Sequence, residues 1–371
     1  MKPQIFQYAE KFNLELEGSL PSLNVAYHTF GTLNAKADNV IWVCHALTAN
    51  SEVADWWPNM VGEGKLMDPE NYFIVCANII GSCYGSTGPL STNPNTGLPW
   101  YRSFPEITIR DLVKAHELLR CHLDINKIHT IIGGSIGGFQ ALEYSIMHPD
   151  LIQNVIFIAA SVKSSPWSVA FNQSQRLAIE ADPSYFEERP YGGINGLKSA
   201  RSIALLSYRN EKTYNKTQVE RDESKTRELK ASSYQNYQGD KLVKRFDAYS
   251  YHAITRIMDT HNVVRNRGSL AEAMGKISAN VLCIGISTDC LFPVHELKLL
   301  AHIVQGEYQE IGSSFGHDGF LLKGKKLTAI IGEFWKKQEA AVLITKSPGT
   351  LINGTKSLKS KSESPLSVHW N

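Results

Sequence analysis

The sequence predicts an α/β fold, with a mostly parallel central sheet flanked by helices and a helical insertion. In the first 160 residues, short apolar segments rich in β-branched residues alternate with segments of helical periodicity. Between residues 163 and 275 the chain is polar and mainly helical in pattern, and the alternation then resumes. Such alternation indicates parallel strand pairing, because each helix returns the chain to the start of the next strand.

The predicted strands are apolar runs bounded by polar turns. "NVIWVCHAL" (39–47) and "NYFIVCANII" (71–80) carry almost no polar residue within the run, which is typical of strands buried on both faces of a parallel sheet. Further strands are predicted at 127–134, 152–160, 279–286 and 307–311.

The predicted helices lie between these strands. Residues 108–123 place leucines on one face, and Thr108 and Asp111 have the spacing of a capping box. A second helix follows residue 137 and is ended by Pro149, and a third covers 294–304. Within the insertion, 201–209 is a helix candidate, whereas the charged stretch 214–241 is expected to be exposed or loosely ordered.

Three segments are therefore expected. Residues 1–162 and 276–340 form the α/β core, 163–275 form a helical lid insertion, and 341–371 form a disordered tail rich in Ser, Lys, Gly and Pro.

Composition limits the classes of partner. The 371 residues are 43% hydrophobic and carry a formal net charge of +2, with both signs spread along most of the chain, so neither nucleic acid nor a membrane is an expected partner. The N-terminus lacks the apolar segment of a secretory signal, and none of the six cysteines forms a C-x-x-C pair. We therefore expect a cytoplasmic protein with free thiols and no metal site.

The most informative motif is Gly133-Gly134-Ser135-Ile136-Gly137, which matches G-x-S-x-G between a predicted strand and a predicted helix. A sharp turn there would project the Ser135 hydroxyl from the carboxyl edge of the sheet. The glycines two positions on either side would be needed because a Cβ atom would collide with the neighbouring strand or helix. The motif alone also fits a turn that only packs or that holds a phosphate group.

The order of other residues favours a nucleophile. In α/β-hydrolases the chain order is Ser, then Asp or Glu, then His. Asp289 follows a late predicted strand, and His317 lies in a Gly-flanked loop after the last one. Ordinary structural or surface roles are expected for other histidines: His45, His116, His122, His148 and His252.

An acyl-transfer site also needs two backbone N–H donors for the oxyanion. One is expected from Ile136, directly after the nucleophile. By position, the other is expected from Leu47, in the loop that follows an early strand.

Several separated motifs carry a more specific resemblance. "CHALTANSEVADWW", "NIIGSCYGSTGPLSTNPNTGLPW", "FPEITIRDLVKAHELL", "GGSIGGFQALEY" and "GHDGFLL" resemble the homoserine O-acetyltransferase family of the α/β-hydrolase superfamily, over roughly residues 5–335. The resemblance implies ping-pong transfer of acetyl from acetyl-CoA, a substrate rather than a bound cofactor, to L-homoserine, for methionine synthesis. It also implies a homodimer formed through the helical insertion.

The resemblance further assigns substrate-binding residues. Arg201 and Tyr208, in "ARSIALLSYRN", correspond to residues that hold the homoserine carboxylate, and Asp318 corresponds to the residue that binds its ammonium group. An Arg for a carboxylate and an Asp for an amine are chemically suitable choices.

Three departures from the family pattern leave the substrates open, the acyl donor most of all. One is the stretch 214–241, which resembles the family only loosely. In the others, Ile136 replaces a common Met, which is tolerable because its expected contact with the oxyanion is through the backbone, and "HALTAN" replaces the usual Gly-Asp after the Thr. The alternatives are a succinyl-CoA-dependent homoserine or serine O-acyltransferase, a serine esterase of the same fold, and a catalytically inactive binding scaffold. An esterase would hydrolyse p-nitrophenyl acetate rapidly without an acceptor, and activity unchanged by Ser135→Ala would favour the scaffold.

Overall fold

The computed structural model describes residues 1–346, and a single eight-stranded sheet organises them. Its order is β1-β4-β6-β5-β7-β8-β9-β10. The six strands from β6 to β10 in that order pair in parallel, whereas β1 and β4 join one edge as antiparallel strands. The strands are β1 (Gln4–Tyr8), β2 (Phe12–Asn13), β3 (Ser19–Leu20), β4 (Leu23–Phe30), β5 (Val40–Cys44), β6 (Phe73–Ala77), β7 (Ile128–Gly134), β8 (Ile152–Ile158), β9 (Asn280–Ile286) and β10 (Glu307–Ile311).

The predicted α/β class and mostly parallel sheet are confirmed. All six predicted strands are present as β5 to β10. The four strands before residue 31 were not predicted. They are short or lie toward the antiparallel edge, where β1 is mostly exposed and lacks the apolar run of a central strand.

Helices cover both faces of the sheet. Every residue of β5 is buried, and its side chains alternate between two apolar clusters, with Trp42 in one and Val43 in the other. The helices are α1 (Val53–Trp56), α2 (Ile109–His122), α3 (Ile136–Met147), α4 (Pro166–Glu180), α5 (Ile194–Tyr208), α6 (Glu211–Thr217), α7 (Lys230–Val243), α8 (Ala248–Asp259), α9 (Leu270–Met274), α10 (Val294–Ile303), α11 (Gly319–Leu322) and α12 (Gly324–Lys346). Helices α2, α3 and α10 cover the Trp42 face, and α1 and α12 cover the Val43 face.

The start of α2 has the predicted cap. Thr108 Oγ1 accepts the backbone N–H of Asp111, and Asp111 Oδ2 accepts the backbone N–H of Thr108. This reciprocal pair satisfies two amides that would otherwise lack partners at the helix end.

Between β8 and β9, a stretch that the structure describes in full, the regular elements are all helical, from α4 to α9. The candidate helix at 201–209 is the second half of α5. The expectation of loose order at 214–241 was wrong in part, because α7 begins at Lys230 and buries Leu242 and Gly239 against its neighbours. Burial of a few apolar residues outweighed the charged composition of this segment.

The C-terminal boundary also needs correction. We predicted a tail from residue 341, but α12 continues to Lys346. The sequence "AVLITK" contains no helix breaker, and the first one beyond it is Pro348. The remainder of the predicted tail, 347–371, lies outside the described residues. Among the described helices, none has the length and apolar character required to cross a bilayer.

Candidate active site

Ser135 occupies the tight turn between β7 and α3. Its backbone has φ 58° and ψ −130°, a conformation that costs free energy for a residue with a Cβ atom. The turn is held by hydrogen bonds on both sides. The Ser135 N–H donates to Ile158 O at 3.0 Å, and the Ser135 carbonyl accepts the N–H of Gly138 at 2.8 Å.

The glycines around Ser135 are required by close backbone contacts. A Cβ atom at Gly133 would lie 2.2 Å from the carbonyl oxygen of Gly137, and one at Gly137 would lie 2.1 Å from that of Cys44. Both distances are far below van der Waals contact. The steric reason predicted for these glycines is confirmed, and α3 therefore starts in direct contact with the end of β5.

Asp289 and His317 meet beyond the ends of β9 and β10. His317 Nδ1 and Asp289 Oδ2 are 2.7 Å apart, and both residues are buried. Asp289 Oδ1 accepts the backbone N–H groups of Leu291 and Phe292 at 2.8 and 3.1 Å, which fixes the orientation of the carboxylate. His317 lies in a short 3₁₀ turn, Gly316–Asp318.

The environment of His317 favours its protonated form. Burial lowers its pKa, but the charge and hydrogen bond of Asp289 and the charge of Asp318 outweigh burial and raise that pKa above 6.5. Because Nδ1 is engaged by Asp289, the nitrogen left for chemistry is Nε2. This arrangement suits a residue that accepts and then returns a proton.

Ser135 and His317 line the same cleft, whose volume is about 450 Å³. None of the described residues forms a hydrogen bond with Ser135 Oγ, and His317 is no exception. Catalytic hydrogen bonds are commonly long in ligand-free enzymes and shorten when substrate binds. A larger cavity of about 690 Å³, between α4, α8 and the segment around Phe104, is lined by other residues and includes neither of these two.

Arg201, Tyr208 and Asp318 also line this cleft, so the structure brings together every side chain predicted for the site. The Arg201 guanidinium lies over the Tyr208 ring, 5.7 Å from its centroid. The Arg201 Nε atom is buried without a hydrogen-bond partner among the described residues. Burial raises the pKa of the Tyr208 hydroxyl, which therefore remains protonated.

Three further cations in the cleft were not predicted. Arg209 Nη1 forms an ion pair with Asp318 Oδ2 at 3.0 Å, and Lys241 and Arg245 also line the cleft. Arg209 directly follows Tyr208 in "ARSIALLSYRN", so its position in that motif could have identified it as a residue of the site. Lys241 and Arg245 come from the segment that ends α7 and precedes α8, and only the folded insertion places them near Ser135.

The two predicted oxyanion donors also lie at the site. Leu47 lines the cleft, and Ile136 begins α3 next to Ser135. Neither backbone N–H has an acceptor within the part of the chain that the structure describes. An oxygen atom of a bound substrate could accept a hydrogen bond from both N–H groups.

Comparisons with known proteins agree with this architecture. A family profile described as the alpha/beta hydrolase fold matches residues 39–324. Homoserine O-acetyltransferase from Cyclobacterium marinum is 45% identical over 336 residues, covering 90% of this chain and 95% of that protein. The crystal structure of homoserine O-acetyltransferase from Bacillus anthracis superposes with a TM-score of 0.82 at 24% identity, covering 88% of this chain and 96% of that one. An acetylester hydrolase from Corynebacterium glutamicum gives a TM-score of 0.80 at 24% identity, covering 90% and 96%. At these identities the two solved structures show the shared fold alone.

Proposed function

Because this chain belongs to the homoserine O-acetyltransferase family, acyltransferases with the α/β-hydrolase fold, we propose that it transfers an acetyl group from acetyl-CoA to the γ-hydroxyl of L-homoserine. The product, O-acetylhomoserine, would serve methionine synthesis. The observation that carries the proposal is the position of Arg201 and Asp318 in the cleft of Ser135 and His317. A guanidinium and a carboxylate beside a nucleophile suit an amino-acid zwitterion, which the esterase alternative does not require.

The first half-reaction acylates the serine. Ser135 Oγ attacks the thioester carbonyl carbon of acetyl-CoA while His317 Nε2 takes the hydroxyl proton. The Leu47 and Ile136 amides stabilise the negative oxygen of the tetrahedral intermediate. The C–S bond then breaks, His317 gives its proton to the sulfur, and CoA leaves as the free thiol.

The second half-reaction releases the product. The γ-hydroxyl of homoserine attacks the acetyl carbonyl, and His317 takes its proton. The bond between the carbonyl carbon and Ser135 Oγ breaks, and the proton returns to Ser135. Throughout, Asp289 holds the ring of His317 and stabilises its protonated form.

The acceptor amino acid is held by the insertion and by the loop after β10. Arg201 binds the carboxylate, with Tyr208 packed against its guanidinium. Asp318 binds the ammonium group with the carboxylate oxygen that Arg209 leaves available. Acceptance of homoserine over serine then depends on the distance from this anchor to the Ser135 acetyl group.

The charge of the cleft suits a CoA donor. Arg201, Arg209, Lys241 and Arg245 provide four positive charges, against two negative charges from Asp55 and Asp318. A net positive entrance attracts the phosphates of acyl-CoA. The same charge would also suit the free carboxylate of a succinyl group, which keeps succinyl-CoA as the second candidate donor.

Two further properties belong to the proposal. The protein acts in the cytoplasm, where thiols stay reduced. It also forms a homodimer through the insertion. Support comes from three large apolar side chains of α4 and α5, Trp167, Leu177 and Leu206, each more than half exposed in the single chain.

A thiol-release assay tests the function. Acetyl-CoA and succinyl-CoA are each combined with homoserine or serine, for the wild-type protein and for Ser135→Ala. We expect rapid CoA release only with acetyl-CoA and homoserine, and loss of that release in Ser135→Ala. Absence of CoA release for every pair would contradict the transferase. Fast hydrolysis of p-nitrophenyl acetate that homoserine leaves unchanged would then indicate the esterase.

A further inference from the structure

His45 lies immediately beyond β5, two residues before Leu47, and its side chain is fully buried. From the sequence we expected His45 to have an ordinary structural or surface role. Both ring nitrogens contact backbone groups of loops at the carboxyl edge of the sheet. Nδ1 lies 2.9 Å from Ala46 O, and Nε2 lies 3.1 Å from the backbone nitrogen of Ile79.

These two contacts determine the tautomer of the ring. The Ile79 N–H can only donate, so Nε2 of His45 must be the acceptor. The proton of the neutral ring is therefore on Nδ1, from which it is donated to the Ala46 carbonyl. Burial lowers the pKa of His45 to about 4, so the ring keeps this neutral form near pH 7.

The Ala46 carbonyl belongs to the same peptide unit as the Leu47 N–H. A peptide unit is planar and normally trans, so its C=O and N–H point in opposite directions. The Ala46 carbonyl accepts both the Nδ1–H of His45 and the Ala49 N–H, at 3.0 Å from the latter nitrogen. Fixing the carbonyl in this way also fixes the direction in which the Leu47 N–H points. The hydrogen bond to the carbonyl also polarises the peptide and strengthens the N–H as a donor.

A second side chain connects this loop to the other predicted oxyanion donor. Gln140 Nε2 lies 3.1 Å from Ile136 O and 3.4 Å from His45 O. The carbonyls of His45 and Ile136 are thus held by one amide group. The backbone contact between Gly137 and Cys44 further restricts movement of α3 against the end of β5.

We propose that His45 is a positioning residue for the oxyanion hole, whose Nδ1–H holds the Ala46 carbonyl so that the Leu47 amide is directed at the developing negative oxygen. The proposal rests on the acyl-transfer function of Ser135 stated above. His45 makes no contact with substrate in this role and acts only through the 46–47 peptide unit.

Two substitutions test the roles of the two ring nitrogens separately. In His45→Asn the side-chain amide can occupy the position of Nδ1 and donate to Ala46, but nothing reaches Ile79. In His45→Gln the longer side chain can place its oxygen near the Nε2 position and accept from Ile79, but no side chain then donates to the Ala46 carbonyl, which keeps only the Ala49 N–H as its donor. Both variants carry the same side-chain amide group, and they differ only in whether that group can contact Ala46 or Ile79.

The experiment measures kcat and KM for CoA release, the pH profile and the thermal unfolding of each variant beside the wild type. We expect His45→Gln to lower kcat by tenfold to a hundredfold, which approaches the loss of one oxyanion donor. The KM for homoserine should stay within twofold, and the midpoints of the pH profile should not move. His45→Asn should retain kcat within about threefold of the wild-type value.

Wild-type kcat in folded His45→Gln would overturn the proposal, as would an equal loss in folded His45→Asn. If His45→Gln does not fold, His45→Asn decides the question alone, since a folded variant with a tenfold or greater loss contradicts the Nδ1 role. The burst of p-nitrophenol from p-nitrophenyl acetate reports acylation of Ser135 without CoA or homoserine. Failure of the wild type to release CoA would therefore reject the proposed substrates, while the burst would still test His45.

Discussion

The Oδ2 atom of Asp318 lies 3.0 Å from Nη1 of Arg209, and both residues line the cleft that holds Ser135. The residue proposed to receive the substrate ammonium group is thus already paired with Arg209, which directly follows the last residue of α5. Asp318 also contributes to the raised pKa of the adjacent His317. In the proposed function, one carboxylate therefore affects both the binding of the acceptor and the protonation of the base.

Asp318→Asn tests both effects. We expect the KM for homoserine to rise at least tenfold, because the amide cannot balance the ammonium charge. The acidic limb of the pH profile should move to lower pH, because the smaller of the two charges that raise the pKa of His317 has been removed while Asp289 remains. Steady-state kinetics between pH 5 and 9 measure both. A raised KM with an unmoved acidic limb would limit Asp318 to substrate binding.

The pH dependence of the wild type follows from His317. The ring must be unprotonated to take the Ser135 proton, and its pKa is raised above 6.5, mainly by Asp289 acting against burial. We therefore expect kcat/KM to rise with pH through a midpoint above 6.5.

Asp289→Asn should lower kcat by ~10⁴-fold and move the midpoint of that limb downward. The Asn oxygen can still accept the Leu291 and Phe292 amides, so the loop should keep its fold. Circular dichroism and thermal unfolding serve as controls. Kinetics close to those of the wild type in a folded variant would reject Asp289 as the partner of His317.

Gly137→Ala tests the backbone contact beneath the serine turn. The new methyl group would lie 2.1 Å from Cys44 O, and neither backbone can move without displacing β5 or α3. We expect a loss of about 3 kcal/mol in the free energy of unfolding, measured by urea titration. Gly312→Ala is the matched control, since its Cβ would lie no closer than 3.9 Å to Lys326 Nζ. Equal stability of the two variants would contradict the steric argument.

Lys241→Ala tests the charge at the cleft. Lys241 lines the cleft and has no ion-pair partner within residues 1–346, so it is available to substrate phosphates. We expect a several-fold increase in the KM for acetyl-CoA that diminishes at high ionic strength, with the KM for homoserine unchanged. Lys244→Ala is the control, because that residue carries the same charge nearby but does not line the cleft. Identical kinetics of the two variants would remove Lys241 from the donor site.

Leu206→Glu tests the dimer. Leu206 is 60% exposed on α5, and a carboxylate there would be buried without a partner if α4 and α5 form the interface. We expect sedimentation equilibrium to give a dimer for the wild type and a 41.4 kDa species for the variant. Leu98→Glu, at an exposed loop residue, should leave the dimer unchanged. A monomeric wild type at micromolar concentration would refute the interface.

The sequence predicted the structure best where a short stretch of chain permits only one type of residue. The apolar run of β5 predicted a strand buried on both faces, and Gly133 and Gly137 predicted the contacts around Ser135. Asp289 and His317 followed from chain order. These features depend on short stretches of chain and on one known order of elements.

The residues that were missed depend on distant parts of the chain. Lys241 and Arg245 reach the cleft only because the α7–α8 segment folds over the loop that contains Leu47 and Thr48. Arg245 donates to the Thr48 carbonyl there and also to Tyr84 Oη. His45 looked ordinary because its significance lies in the backbone groups of Ala46 and Ile79, which no side-chain pattern records. The antiparallel edge strand β1 lacked a buried apolar run.

The cleft is built from two separate parts of the chain. Ser135, Asp289 and His317 stand on loops of the sheet, whereas Arg201, Lys241 and Arg245 come from the helical segment between β8 and β9. In the proposed function, the residues that make and break bonds and the residues that select the substrates are consequently encoded in different stretches of the gene. Exchange of the helical segment between relatives offers a direct route to new donor and acceptor preferences on an unchanged reactive scaffold.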